Sequence, residues 1–254
     1  MAADTPPDRT RLDRAMVTRG LVATRSRAQD LIRRGLVTVD GAVEASPARA
    51  VTPAQHVALT DAPAATRHVS RGGEKLAAAL AAFKLEAQGR AALDIGASTG
   101  GFTRVLLDAG AARVYAIDVG HGQLHPSLSG DPRVVAREGS DARDLTPADI
   151  AEPVGAVVVD VSFISLLKVL PAVLPLAARG AWLVALIKPQ FEVGRAAVGK
   201  RGIVRDAKAR QAAVTAVEQF LAGQPGWRLL GVVPSPITGG SGNLEYLIGA
   251  SHDA

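Results

Sequence analysis

Apolar residues recur along this chain at two spacings, and the change from one to the other marks its elements. Beyond a loose tail over residues 1–8, Leu12, Ala15 and Met16 fall on one face of a short helix that starts at Thr10 and that Gly20 can close. A second helical stripe, Ala28, Leu31 and Ile32, follows Ser26 and Gln29, which are spaced as a capping-box pair, and stops at Gly35. The period then shortens. Residues 36–39 and 42–43 flank Asp40-Gly41, a dipeptide suited to the positive-φ positions of a two-residue hairpin. Together these segments predict a small α+β module, two helices and a hairpin, over residues 1–60. Residues 61–67, rich in alanine with Pro63, have the composition of a linker.

From residue 68 to 254 the pattern is different. Short, nearly continuous apolar runs at 91–95, 112–120, 133–136, 155–161 and 181–187 are separated by helical stretches. Uninterrupted apolar strands of this kind belong to a parallel sheet covered on both faces. The helical stretches include an alanine-rich helix after Gly73, one beginning near Phe102, and one capped by Asp206 and closed by Gly223. The last two runs, 227–233 and 244–249, are joined by a proline- and glycine-rich connection with no helix. That connection favours an antiparallel final pair. The expected architecture is therefore α/β: a small first domain, then a Rossmann-like seven-stranded sheet whose last strand is antiparallel.

Residues 91–103 organise this second domain: strand, glycine turn, helix. Glycines let the backbone approach a ligand closely, and the following helix directs free N–H groups at it. In an open α/β sheet such a turn lines the ligand crevice at the strands' carboxyl ends. Asp118 ends the next run, where a carboxylate is placed to hydrogen-bond ribose hydroxyls. The glycines read Gly96-x-x-x-Gly100-Gly101, unlike the G-x-G-x-x-G of dinucleotide enzymes, and the helix-free final pair also speaks against an NAD-dependent enzyme.

Composition narrows the classes. The 254 residues are 48% hydrophobic, enough for a proper core, and include no cysteine, which excludes disulfides, thiolate metal sites and cysteine nucleophiles and suits a reducing cytoplasm. Residues 1–7 lack the apolar core of a signal peptide, and no run approaches the roughly 20 apolar residues that span a bilayer. No membrane partner is expected. A net charge of +5 and an isoelectric point near 10.0 lean toward an anionic partner such as nucleic acid. In the first module Arg25, Arg27, Arg33 and Arg34 gather on or beside the second helix, with Arg27 and Arg34 on a shared face. They can be a solvated surface or a docking face for phosphate; a module too small for chemistry of its own favours docking.

Four ionisable residues stand where a ligand crevice would be. Asp160 and Lys188 lie at the carboxyl ends of two runs, Glu245 opens the last strand, and Lys75 enters from the first turn of the preceding helix. A cation in a helix's first turn opposes the dipole, so Lys75 either reaches for an anion or points into water. Taken singly, each is more often a solvated residue or an element end; buried together, they would need to form a charge network.

Two resemblances add to these readings. Thr10-Arg11-Leu12-Asp13, Ser26 through Ile32 and Gly35 through Gly41 resemble the RNA-binding module first seen in ribosomal small-subunit protein S-four, which implies recognition of structured RNA by the arginine-bearing helix. The sheet resembles that of S-adenosylmethionine-dependent methyltransferases, and Lys75, Asp160, Lys188 and Glu245 resemble the Lys-Asp-Lys-Glu tetrad of FtsJ-like RNA 2′-O-methyltransferases. Glu245 is supported by its setting in Gly242-Asn243-Leu244-Glu245-Tyr246. The order of the modules, with Val69 through Leu76, Leu93 through Thr103, Val159 through Ser165 and Ile187 through Glu192, is similar to the TlyA (hemolysin A) family over nearly the whole chain.

The family resemblance implies 2′-O-methylation of cytidines in ribosomal RNA of one or both subunits, with ribosomal RNA as partner and S-adenosylmethionine as cofactor. It implies that Asp94, Gly96, Ser98 and Gly100 line the cofactor's methionine side, that Ala97 and Thr99 also bind the cofactor, and that Asp118 takes its ribose and Asp141 its adenine amine. It makes Lys188 the base or hydroxyl-orienting group, with Asp160 holding it and Lys75 and Glu245 tuning the network; no metal is required. Two other readings stay open: an RNA-binding protein with a silent methyltransferase-like domain, and the membrane-active role that the hemolysin label suggests.

Overall fold

A computed structural model describes residues 9–22, 25–33, 35–60, 71–194, 197–199 and 202–253, without the side chains of Ser26, Arg27, Asp30 and Arg71. The chain divides into two compact units, Met1–Arg67 and His68–Ala254. The proposed 61–67 linker and the cations Arg34, Arg195, Lys200 and Arg201 lie outside the described residues, as does the side chain of Arg27.

In the first unit β1 (Thr10–Arg11) leads into α1 (Leu12–Thr18) and α2 (Arg25–Arg33). Then come β2 (Val37–Val39), β3 (Ala42–Val43), β4 (Ala50–Val51) and β5 (Val57–Leu59). Leu12, Met16, Ile32 and Val37 are fully buried at its centre, on the faces their spacing predicts. Asp40 and Gly41 take φ of 53° and 82°, the doubly positive pair that a hairpin matching the strands' twist requires. Two pairings were not legible in the sequence: β5 adds a third strand beside β2, and β1 pairs with β4. Strands of two or three residues are too short to display a period.

The capping-box expectation is half corrected. Ser26's side chain is outside the description, and Gln29 does not turn back to the helix start; it donates to Asp13 in α1 at 2.8 Å. Asp13 is completely buried and also accepts from Arg11 and Arg25. Hydrogen bonding from Arg11 above all, against the opposing effect of burial, holds its carboxyl well below the usual range. A buried carboxylate that lost these donors would be strongly destabilising, so it commands the donors within reach.

The second unit opens with α3 (Arg71–Phe83), which leads into β6 (Ala91–Ile95), α4 (Gly101–Asp108) and β7 (Arg113–Asp118). Next along the chain are α5 (Pro126–Ser129), β8 (Val134–Glu138), β9 (Val154–Val159), α6 (Leu166–Val173) and β10 (Ala177–Ile187). α7 (Pro189–Glu192), α8 (Ala207–Ala222), β11 (Trp227–Pro234) and β12 (Tyr246–His252) complete it. The seven strands lie in the order β11-β12-β10-β9-β6-β7-β8. β6 to β10 run parallel, while β12 slots between β10 and β11, antiparallel to both.

Both faces are covered, as the continuous apolar strands require. One packs Leu166, Leu170, Val214 and Val217 of α6 and α8; the other packs Leu76, Phe102 and Leu106 of α3 and α4. Strand order reverses between β6 and β9, the switch point at whose carboxyl edge ligands bind in open α/β sheets. β12 runs against its neighbours, so its amino end reaches that same edge. Among the described residues no helix is long and apolar enough to cross a membrane.

Candidate active site

The four ionisable residues gather at this edge as two ion pairs. Asp160 follows β9 and its N–H donates to the carbonyl of Ile95. Lys188 follows β10. Ile187 is in register with Tyr246, so Lys188 and Glu245 are the next residues out on adjacent strands. Lys188 Nζ lies 2.6 Å from Asp160 Oδ1 and donates to Ser162 Oγ at 2.8 Å. Asp160 Oδ1 accepts no well-directed hydrogen bond, so this contact is a close ion pair. Lys75 Nζ donates to Glu245 Oε2 at 2.5 Å.

Two sequence expectations need correction. Lys75 is the fifth residue of α3, past its first turn, and points to Glu245 instead of water. Glu245 precedes the last strand, which begins at Tyr246, and does not open it. The expected single network is resolved into two pairs that differ in access. Lys75 and Glu245 keep 9% and 3% of their side-chain exposure, Lys188 and Asp160 9% and 20%. Asp160 is thus the most accessible of the four, and Lys188 is as enclosed as Lys75.

The glycine turn lies beside it. Gly96, Ser98 and Gly100 have φ of 82°, 46° and 89°. A Cβ on Gly96 would stand 2.5 Å from the carbonyl oxygen of Asp160, so only glycine allows turn and Asp160 loop to meet. Ala97 and Gly100 are buried, while Ser98 and Thr99 face outward. Asp118 accepts from the Ser98 N–H at 2.8 Å and from the Gly120 N–H at 2.7 Å. One oxygen thereby braces the turn and the other the loop after β7, and each keeps a lone pair for a diol. Asp141 is engaged elsewhere: it caps residues 142–144 and binds the Arg143 guanidinium through both oxygens.

Asp94 lies beneath the turn, completely buried. Thr103 donates to its Oδ2 at 2.6 Å, and its Oδ1 has no hydrogen-bond partner among the described residues. Burial pushes its carboxyl up to about 7, against the Thr103 hydrogen bond, with the nearby Asp160 charge adding to the rise. The unfolded chain ionises this group near 3.8, so between about pH 4 and 7 only the folded state keeps the proton. Stability should therefore fall as pH rises through that window and level off above it. Urea unfolding across the window should show a shallower decline in Asp94→Asn; identical slopes for the two proteins would contradict the assignment.

Three participants were not singled out from the sequence. Ser162 orients Lys188. Gly239 leaves room for Glu245, whose Oε1 would lie 2.2 Å from a Cβ there. Asn243, buried, accepts from the Val204 N–H and donates to the Gly202 carbonyl, fixing the segment that leads to Glu245. The Gly242-Asn243 pair two residues before Glu245 was the available signal. In the first unit Arg33 is exposed, whereas Arg25 is tied to buried Asp13 at 2.9 Å.

Comparison with known proteins bears on both units. The family model of the FtsJ-like methyltransferase matches residues 68–252, and that of the S4 domain matches residues 10–57. The chain is 50% identical over 241 residues to the 16S/23S rRNA (cytidine-2′-O)-methyltransferase TlyA of Mycobacterium tuberculosis, covering 94% of this chain and 89% of that protein. It is 39% identical over 239 residues to Hemolysin A of Brachyspira hyodysenteriae, covering 93% and 98%. A solved structure named "Putative hemolysin from Streptococcus thermophilus" matches with a TM-score of 0.76 at 39% identity over 96% of this chain and 89% of that one.

Proposed function

The chain belongs to the TlyA family of FtsJ-like methyltransferases, and from that premise we propose that it transfers a methyl group from S-adenosylmethionine to the 2′-hydroxyl of cytidine in ribosomal RNA. The observation that carries this reading is the Lys188–Asp160 pair, partly open at the sheet edge, beside a glycine turn only glycine can form. The turn fits the cofactor: Ser98 and Thr99 face outward from it, and Asp118 keeps acceptor capacity. Asp94, residues 96–100 and Asp118 would hold the cofactor, whose sulfonium supplies an already electrophilic methyl carbon. Asp141 is a weaker adenine contact in this reading, since Arg143 must first release it.

A ribose 2′-hydroxyl is a poor nucleophile and must lose its proton as the new O–C bond forms. Alignment and proton management are therefore the enzyme's main tasks. Lys188, fixed from two sides by Asp160 and Ser162, meets the hydroxyl and takes its proton when neutral. Lys75 and Glu245, at the adjacent strand start, position the ribose and tune the charge beside Lys188. The module at residues 10–57 docks the RNA, with Arg27, Arg33 and Arg34 as its candidate phosphate-binding cations and Arg25 chiefly bracing Asp13. A ribosomal RNA substrate sets the work in the cytoplasm.

Calorimetry with S-adenosylmethionine on the full chain tests the cofactor half of this reading. Asp118→Ala should weaken binding by about 1–3 kcal/mol, the cost of a lost hydrogen-bonded contact, with release of the Ser98 and Gly120 N–H groups contributing. Parent affinity in that variant would remove Asp118 from the site.

A further inference from the structure

Lys188 and Asp160 sit on different loops, and their own ion pair is not all that joins those loops. After Lys188 the chain makes the single turn α7, with the Phe191 N–H donating back to the Lys188 carbonyl and the Val193 N–H to that of Pro189. The turn ends at Glu192, whose side chain crosses to the other loop. Its Oε2 accepts from Ser165 Oγ at 2.5 Å and its Oε1 from the Leu166 N–H at 2.9 Å. Ser165 is the N-cap of α6 and uses the same hydroxyl to accept from the Leu167 N–H. Between Asp160 and Ser165 lies Phe163, with φ of 66° and its ring 5.2 Å from that of Phe191.

The loop of residues 160–165 is therefore fastened to α7 at both ends. Lys188 grips Asp160 and Ser162 at one, and Glu192 grips Ser165 and Leu166 at the other. Free N–H groups at a helix start are commonly satisfied by a local side chain, and Ser165 already supplies one. A second acceptor brought from another loop adds what a local cap cannot, a fixed separation between two loops. Desolvation raises the Glu192 carboxyl, so holding this group here works against its charge. We propose that Glu192 is a positioning residue for methyl transfer, a strut from α7 to the start of α6 that sets Lys188 against Asp160 and Ser162. The inference rests on the methyltransferase reading above and adds to it a residue that touches neither cofactor nor substrate.

The test is single-turnover methyl transfer to ribosomal RNA in unmodified subunits by the full chain and its Glu192→Ala, Glu192→Gln and Ser165→Ala variants. S-adenosylmethionine affinity and RNA affinity are measured alongside. Because a misplacement of the order of 1 Å can cost a hundredfold, Glu192→Ala should lower the maximal rate by roughly ten- to a hundredfold while both affinities stay within about twofold. Glu192→Gln should return close to the parent rate, since a carboxamide can accept from the Leu166 N–H and donate to Ser165 Oγ. A parent rate in folded Glu192→Ala, or a loss in Glu192→Gln as deep as in the alanine variant, would overturn the strut. If Glu192→Ala does not fold, Ser165→Ala decides: a reduced rate at unchanged affinities supports the inference, and a parent rate overturns it. Absence of transfer by the parent itself would instead overturn the methyltransferase reading, and the strut with it.

Discussion

Lys188→Arg is expected to bind S-adenosylmethionine and ribosomal RNA like the parent, yet transfer methyl groups at least roughly a hundredfold more slowly, the usual scale for losing a positioned acid–base group. Arginine preserves the charge and can still pair with Asp160, whose Oδ1 lies 2.6 Å from the lysine nitrogen. What it lacks is a proton it can give up at working pH and a compact nitrogen for the hydroxyl to meet. Lys188→Ala should fail to the same degree and should also leave Asp160 without its cation. The arginine variant is the sharper of the two, because it separates proton removal from charge. Single-turnover transfer near the parent rate in Lys188→Arg would rule out the base role and leave orientation or electrostatics.

The second large effect concerns stability. Lys75→Met should lower the free energy of unfolding by about 3–5 kcal/mol, the range for a buried ion pair that loses one partner. The reason is geometric: Glu245 keeps 3% of its side-chain exposure and would be left as an uncompensated charge. Adding Glu245→Met to make the site wholly apolar should recover most of that loss, since a well-packed apolar pair often equals a buried ion pair. Methyl transfer should not recover with it. Urea denaturation of parent, single and double variants, read beside their transfer rates, checks both halves. A single variant as stable as the parent would mean that Glu245 finds another cation or water. A double variant with full activity would reduce the pair to scaffolding.

The parts of the structure that repeat were legible in the sequence; the parts made by single contacts across the chain were not. Apolar runs and turns announced the sheet, and the helix-free stretch before Tyr246 announced the antiparallel end. That β12 inserts between β10 and β11 was not legible, because order within a sheet depends on which faces and edges need covering. Lys188, Asp160 and Glu245 could be placed at one edge because each borders a strand end. Their division into two ion pairs depends on side-chain reach, and no spacing encodes it. Gln29 illustrates the opposite failure. Its local spacing to Ser26 suggested a cap, but buried Asp13 claimed its amide. Glu192 stood in plain view after Lys188, yet only the fold brings it to Ser165.

The central claim, that this chain methylates ribose in ribosomal RNA, is tested most directly by incubating the full chain with labelled S-adenosylmethionine and ribosomal subunits that lack the modification. The labelled nucleoside is then identified. The account predicts label on the 2′-oxygen of cytidine in ribosomal RNA, appearing at least roughly a hundredfold more slowly when Lys188→Arg replaces the parent. Label on a base, label on another nucleoside's ribose, or none at all would contradict it.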